Sequence, residues 1–183
     1  MNFIKTSIDG VCIIEPRVFS DDRGYFFESY NESVFVAHGI TNKFIQDNQS
    51  QSAYGVIRGL HAQLGTHAQA KLVRVLQGKV LDVAVDVRHG SPTFGQHVAV
   101  ELSEKNNRQL FIPRGFLHGF SVMSPTATFA YKCDNLYCKE AECGVRFDDD
   151  FINIDWQIPA DKIIVSEKDK TAPLLKNVID NWK

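Results

Sequence analysis

No apolar run in this 183-residue chain approaches the roughly 18 residues that a bilayer span requires. The opening decapeptide, MNFIKTSIDG, also lacks the apolar core of a secretory signal. Both absences lead to the expectation of a soluble, cytoplasmic protein with no membrane contact. An excess of one charge is missing too. Twenty Lys and Arg stand against 22 Asp and Glu, giving a net charge of −2. No basic field is available for wholesale binding of nucleic acid, so any anion must be recognised by a few placed arginines and lysines. Cysteine is sparse: Cys12, Cys133, Cys138 and Cys143. The last three are spaced by five and lack the short C-x(2–4)-C pair of structural zinc sites. An odd spacing would also put alternate cysteines on opposite faces of a strand. Reduced, inert thiols and no metal are expected. Low-complexity segments, charge blocks, linkers and solenoid repeats are absent as well. One domain over residues 1–183 is expected, irregular from about residue 135.

What is present is a succession of short apolar or alternating runs between turn residues. They are VCII (11–14), GYFFESY (24–30), KFIQDNQSQ (43–51), GVIRGLHAQ (55–63) and KLVRVLQ (71–77). VLDVAVDV (80–87), QHVAVEL (96–102), RQLFI (108–112), GFSVM (119–123) and ATFAYKC (127–133) follow. Gly78, HGSPTFG (89–95), EKNN (104–107) and SPT (124–126) punctuate them. In VLDVAVDV, Leu81, Val83, Val85 and Val87 share one face, and Val80, Asp82, Ala84 and Asp86 the other. Only NESVFVAHG (31–39) reads as a short helix, with Asn31 as N-cap and Gly39 closing it. The pattern predicts an all-β sandwich or barrel of jelly-roll type with a few short helices.

Barrels and sandwiches of this kind hold ligands in their mouths or between their sheets, so polar residues embedded in strand runs are the candidates. They are Arg23, Glu28, Gln46, Asp47, Asn48, Arg58, His61, Lys71, His118 and Tyr131. Each has an ordinary reading. Lys71 opens a strand and can extend to solvent, Arg23 can be a turn residue, and Tyr131 can be a core aromatic with a tethered hydroxyl. His61 alone can be a hydrogen-bonded core histidine. Their number in one small domain strains that reading, because each would need its own partner. In GVIRGLHAQ, strict alternation would send Arg58 and His61 to opposite faces, which predicts a bulge or twist at Gly59.

Six ordered stretches carry a resemblance: DDRGYFFESYN, FIQDNQSQSAYGVIRGLHAQ, QAKLVRVLQGKVLDVAVDVR, IPRGFLHGFSV, FAYKCDNLY and IDWQ…SEKDKTAPLL. Together they resemble the dTDP-4-dehydrorhamnose 3,5-epimerases from about residue 3 to residue 176. The resemblance implies a cupin-like β-jelly roll, usually a homodimer, that works without metal or organic cofactor on a dTDP-sugar. It implies inversion of the two carbons flanking the ketone of a deoxyhexose, on the route to L-rhamnose and lipopolysaccharide or cell-wall polysaccharide. It also implies roles: His61 as base, Asp169 as its orienting acid, Tyr131 as proton donor, and Lys71 beside the developing enolate. Arg23 and Arg58 would bind the diphosphate and Tyr137 would stack on the thymine. Glu28, Gln46, Asp47, Asn48, His118, Glu142 and Lys168 match further contact positions.

The chemistry accounts for these residue types. A hydrogen beside a ketone is weakly acidic, so its removal needs a base on one face and stabilisation of the enolate oxygen. Inversion then needs an acid on the other face. Ala62, Phe147, Cys138 and Lys139 depart from the family pattern and are expected to shift nucleotide or sugar preference. Three alternatives stay open at this point. A metal-dependent cupin would need converging histidines, and no H-x-H pair is present. A single-carbon epimerase or ketoisomerase of another dTDP-deoxysugar pathway is the second, and a non-catalytic sugar-nucleotide binder the third.

Overall fold

The computed structural model describes residues 1–179 and Trp182. The chain runs β1 (Asn2–Lys5), β2 (Cys12–Glu15), β3 (Phe19–Asp21), β4 (Gly24–Phe26) and α1 (Glu32–Ala37). It continues β5 (Gln46–Ala53), β6 (Ile57–Gln63), β7 (Lys71–Gln77), β8 (Lys79–Asp86) and β9 (His97–Ser103). β10 (Gln109–Ile112), β11 (Phe116–Val122), β12 (Thr126–Cys133), β13 (Glu142–Gly144) and α2 (Glu167–Lys170) complete it. Six strands form one sheet in the order β1-β2-β10-β7-β12-β5, and five form another in the order β13-β6-β11-β8-β9. Among the described residues β3 and β4 pair only with each other. The expected all-β jelly roll is present, its strands pairing antiparallel. The helix is in place, with Asn31 accepting a bond from the Val34 N–H. Among the described residues no helix is long and apolar enough to cross a membrane.

The inward faces of the two sheets build the main core. Val73 and Val75 of β7, Phe129 of β12 and Leu110 of β10 meet Val80 and Ala84 of β8 and Phe120 of β11. The opposite face of β8 is buried as well. Leu81, Val83 and Val85 pack with Ile57 and Leu60 of β6 under a cover drawn from the C-terminal third: Val145, Ile152, Trp156, Val165 and Leu175. The irregular segment is therefore the lid of a second core. Asp149 pins it, accepting bonds from the Phe151, Ile152 and Leu175 N–H groups. On the outer face of the six-stranded sheet, α1 sets Phe35 against Ile14, Leu72 and Phe111.

Candidate active site

At one end of the sandwich the apolar filling between the sheets gives way to a cavity of about 570 Å³. Arg58 and His61 of β6, Lys71 of β7, His118 of β11, Tyr131 of β12 and Asn48 of β5 line it, with Lys168 and Asp169 on its rim. Arg58 and His61 share this cavity because of an irregularity in β6. Phe120 pairs with Arg58 and His118 with His61, so Gly59 and Leu60 together oppose the single residue Gly119. Gly59 has φ +121°, and a Cβ there would meet the Gly119 Cα at 2.6 Å and the His118 carbonyl oxygen at 2.7 Å. Only glycine suits that approach.

His61 is oriented from outside its own sheet. Its Nε2 lies 2.5 Å from Asp169 Oδ1, with 31% of the imidazole exposed and 6% of the carboxylate. Asp169 is held by α2, whose N-cap Ser166 accepts a bond from the Asp169 N–H. Burial alone would raise the Asp169 carboxyl. The His61 bond and charge, with Ser166 and the Gly59 backbone, outweigh it and hold the group below the usual carboxylate range. An ionised carboxylate only accepts, so Nε2 carries the hydrogen and Nδ1 is left as the basic nitrogen.

The opposite wall belongs to the six-stranded sheet. Burial pushes the Tyr131 phenol up, with the Cys133 thiol adding to the rise and Arg58 opposing it. It holds its proton at neutral pH. Burial pushes the Lys71 ammonium down, while Cys133 and Asp82 act against that fall. Its Nζ stands 5.9 Å from the Tyr131 ring centre. Arg58 donates from Nε to Ser52 Oγ at 3.0 Å, leaving its terminal nitrogens to a ligand.

A second polar cluster forms at the rim. Gln46 donates to Asn48 Oδ1 and accepts from the Tyr137 N–H. The Tyr137 hydroxyl donates to Glu142 at 3.2 Å, and Lys168 Nζ pairs with the same carboxylate at 2.5 Å. Burial would raise Glu142, yet the Lys168 bond and charge lower it below its ordinary value. The Tyr137 side chain is exposed, with its ring open to solvent.

Three expected contact residues lie elsewhere in the single chain. Arg23 sits on the β3–β4 turn, exposed and paired with Asp21 of its own hairpin. Glu28 accepts from Asn31 at the start of α1. Asp47 occupies the outward-facing side of β5, opposite Gln46 and Asn48, and pairs with Lys132. Two departures from the family pattern are also clear of the cavity: Ala62 and Phe147 belong to the second core, so a direct effect on substrate preference is not theirs. Cys138 does sit beside Tyr137, its N–H bonded to Gln63. Cys12, Cys133, Cys138 and Cys143 are all unpaired. Burial pushes the thiols of Cys133 and Cys143 up to about 11, which keeps them protonated and unreactive at neutral pH.

One partner escaped the sequence reading. Asp82, fully buried on β8, lies 2.9 Å through Oδ2 from His118 Nε2. The available signal was a carboxylate on the inward face of a strand buried on both sides. Its alternation set Asp82 with Val80, Ala84 and Asp86 on one face without telling whether that face is buried.

The family model described as dTDP-4-dehydrorhamnose 3,5-epimerase matches residues 5–177. A dTDP-4-dehydrorhamnose 3,5-epimerase of Shigella flexneri is 54% identical over 170 residues, covering 92% of this chain and 93% of that one. The crystal structure of such an enzyme from Elizabethkingia anophelis superposes with a TM-score of 0.93 at 54% identity, covering 97% of each chain. A dTDP-6-deoxy-D-glucose-3,5-epimerase from Legionella pneumophila, solved with dTDP-4-keto-L-rhamnose, gives a TM-score of 0.92 at 49% identity, covering 96% of this chain and 93% of that one.

Proposed function

The chain belongs to the dTDP-4-dehydrorhamnose 3,5-epimerase family, and from that membership we propose how its own residues perform the reaction. The enzyme epimerises dTDP-4-dehydro-6-deoxy-D-glucose at carbons 3 and 5 to dTDP-4-dehydro-L-rhamnose. His61 Nδ1 takes the proton from a carbon beside the ketone. The electron pair of that C–H bond moves to the ketone oxygen as an enolate, which the Lys71 ammonium faces. Tyr131 then gives its phenolic proton to the other face of the carbon. The imidazolium and the phenolate return to their starting states by exchange with solvent. One observation carries this reading. His61 stands on the five-stranded sheet and Tyr131 on the six-stranded sheet, so a sugar ring between them has a base on one face and an acid on the other.

Arg58 binds the diphosphate with its free guanidinium nitrogens, and Asn48 and His118 contact the sugar. Gln46, Tyr137, Glu142 and Lys168 hold the thymidine at the rim. Arg23, with Glu28 near its base, completes the site from a second copy of the chain. The support is geometric: the β3–β4 hairpin has no further partner strand among the described residues, and its Phe19, Tyr25 and Phe26 are 52%, 64% and 69% exposed. Such an aromatic ribbon is suited to burial against another protomer in a homodimer. The whole chain then works as one epimerase unit. We place it in the cytoplasm, supplying lipopolysaccharide or cell-wall polysaccharide synthesis, because a charged sugar diphosphate does not cross a bilayer unaided.

The test is NMR of the sugar in deuterated water, scoring label and inversion separately. His61→Ala loses both, by about 10²–10⁴-fold, while still binding dTDP. Tyr131→Phe keeps the base and the ring packing, so label enters while inversion falls. Inversion at the parent rate in Tyr131→Phe contradicts the assignment.

A further inference from the structure

Two imidazole–carboxylate pairs face the cavity from neighbouring strands, His61–Asp169 and His118–Asp82, with the two histidines directly opposite in register. The first pair carries the proton. The second is more deeply buried, with 8% of the His118 side chain exposed and none of Asp82. We propose that Asp82 is a positioning residue that fixes His118 in its Nε2–H tautomer, so that Nδ1 meets the sugar as a hydrogen-bond acceptor for a hydroxyl. The inference rests on the reading that the sugar occupies this cavity, and it specifies the polarity of one contact within it.

The argument begins with the bond. His118 Nε2 lies 2.9 Å from Asp82 Oδ2, and a carboxylate offers only lone pairs, so Nε2 carries the hydrogen. Burial lowers the His118 pKa against the raising effect of Asp82, and the charges of Lys71 and His61 lower it further. The ring is therefore neutral at physiological pH, and its second nitrogen has a lone pair rather than a proton. Packing fixes the direction of that lone pair. The imidazole lies against Phe129, ring centres 6.0 Å apart, and Phe129 in turn stacks on Phe120 at 4.3 Å. A rival arrangement, with His118 donating from Nδ1 to the ketone oxygen, needs the opposite tautomer.

The remaining oxygen of the carboxylate shows why an acid, not an amide, suits position 82. Asp82 Oδ1 is buried and, among the described residues, has no hydrogen-bond partner. An orphaned acceptor is ordinarily unfavourable. Here the Asp82 charge acts against the fall that burial imposes on the Lys71 ammonium, so the two groups attract each other. An asparagine at this place has to choose. Turning its oxygen to His118 would leave two N–H donors orphaned toward a cation. Turning its NH₂ to His118 leaves the oxygen where Oδ1 already stands, so the second orientation wins. It makes Nε2 an acceptor and forces the hydrogen onto Nδ1. Asp82→Asn is thus an isosteric inversion of the hydrogen bond offered to the substrate.

The experiment labels the full-length protein with ¹⁵N-histidine and reads tautomers by long-range proton–nitrogen correlation at neutral pH. The His118 signals are assigned by difference against His118→Asn. In the free parent enzyme His118 should show Nε2–H with an unprotonated Nδ1. In Asp82→Asn the pattern should reverse, and kcat/KM should fall about 10- to 100-fold, the range of one misdirected hydrogen bond. The melting temperature and dTDP affinity should stay near parent, because the nucleotide is held elsewhere. An Nδ1–H or doubly protonated His118 in the parent overturns the proposal without recourse to any variant. So does an Asp82→Asn enzyme that loses activity with its tautomer unchanged. The spectrum needs no substrate, so failure of the epimerase reading, seen as absent exchange in the parent, is a separate result.

Discussion

The proposed proton transfer needs a base at His61 that accepts a proton and an acid at Tyr131 that keeps its own until the enolate forms, at a single pH. The surroundings of each meet that need by different means: an ionised Asp169 behind the imidazole, and desolvation around the phenol. Arg58 has neither duty. Its Nε is tied to Ser52 and its terminal nitrogens are free for an anion. Replacing it with alanine should weaken dTDP binding about 10- to 100-fold at low salt, the range for hydrogen bonds to a charged group. Titration calorimetry at rising ionic strength should show that loss shrinking as the charges are screened. Equal affinity of parent and variant at low salt contradicts the diphosphate role. These side chains were legible in the sequence because each interrupts an apolar run. Asp82 was not, because alternation alone cannot tell a strand buried on one face from a strand buried on both.

At the scale of elements, β8 and the loop after it show how little of the polar content serves catalysis. Asp86 closes β8, fully buried, and accepts bonds from the Arg88 backbone and guanidinium and from the hydroxyls of Ser91 and Thr93. Burial works against its charge, yet Arg88, Ser91 and Thr93 hold the carboxyl far below its usual range. A depressed pKa stabilises the fold in full above the unfolded value of about 4, and that contribution fades as pH falls through the lower folded value. Asp86→Asn should therefore cost about 3–5 kcal/mol at neutral pH, with the gap to the parent narrowing in acid. Denaturant unfolding at several pH values checks it, and a gap that widens in acid contradicts it. Strands β6 to β12 were readable from alternation and turn residues, and the bulge at Gly59 followed from the mismatch between Arg58 and His61. β1, β13 and α2 were not. They are three or four residues long and exist because something else pairs with them or caps them. GYFFESY stops being a strand at Phe26, where its partner β3 runs out.

At the scale of the whole molecule, the chain presents a cavity in which His61, Tyr131 and Lys71 are assembled, while Arg23, one expected contact, is left on an exposed hairpin. A site completed between protomers predicts complementation. Co-expressing His61→Ala chains with Arg23→Ala chains should yield mixed dimers in which one of the two cavities has every residue. At low substrate the mixture should recover roughly a quarter of parent activity, the share of intact sites under random pairing. Activity no greater than the average of the two variants contradicts hairpin exchange. Sequence alone could not show this division, because a residue's place in the chain does not reveal which copy's cavity it serves. The measurement that bears most directly on the account takes the unaltered protein and its dTDP-4-dehydro-6-deoxy-D-glucose substrate in deuterated water. A base and an acid on opposite walls of one cavity predict solvent deuterium at both carbon 3 and carbon 5, each with inverted configuration. Label at a single carbon, or label at both without inversion, contradicts it.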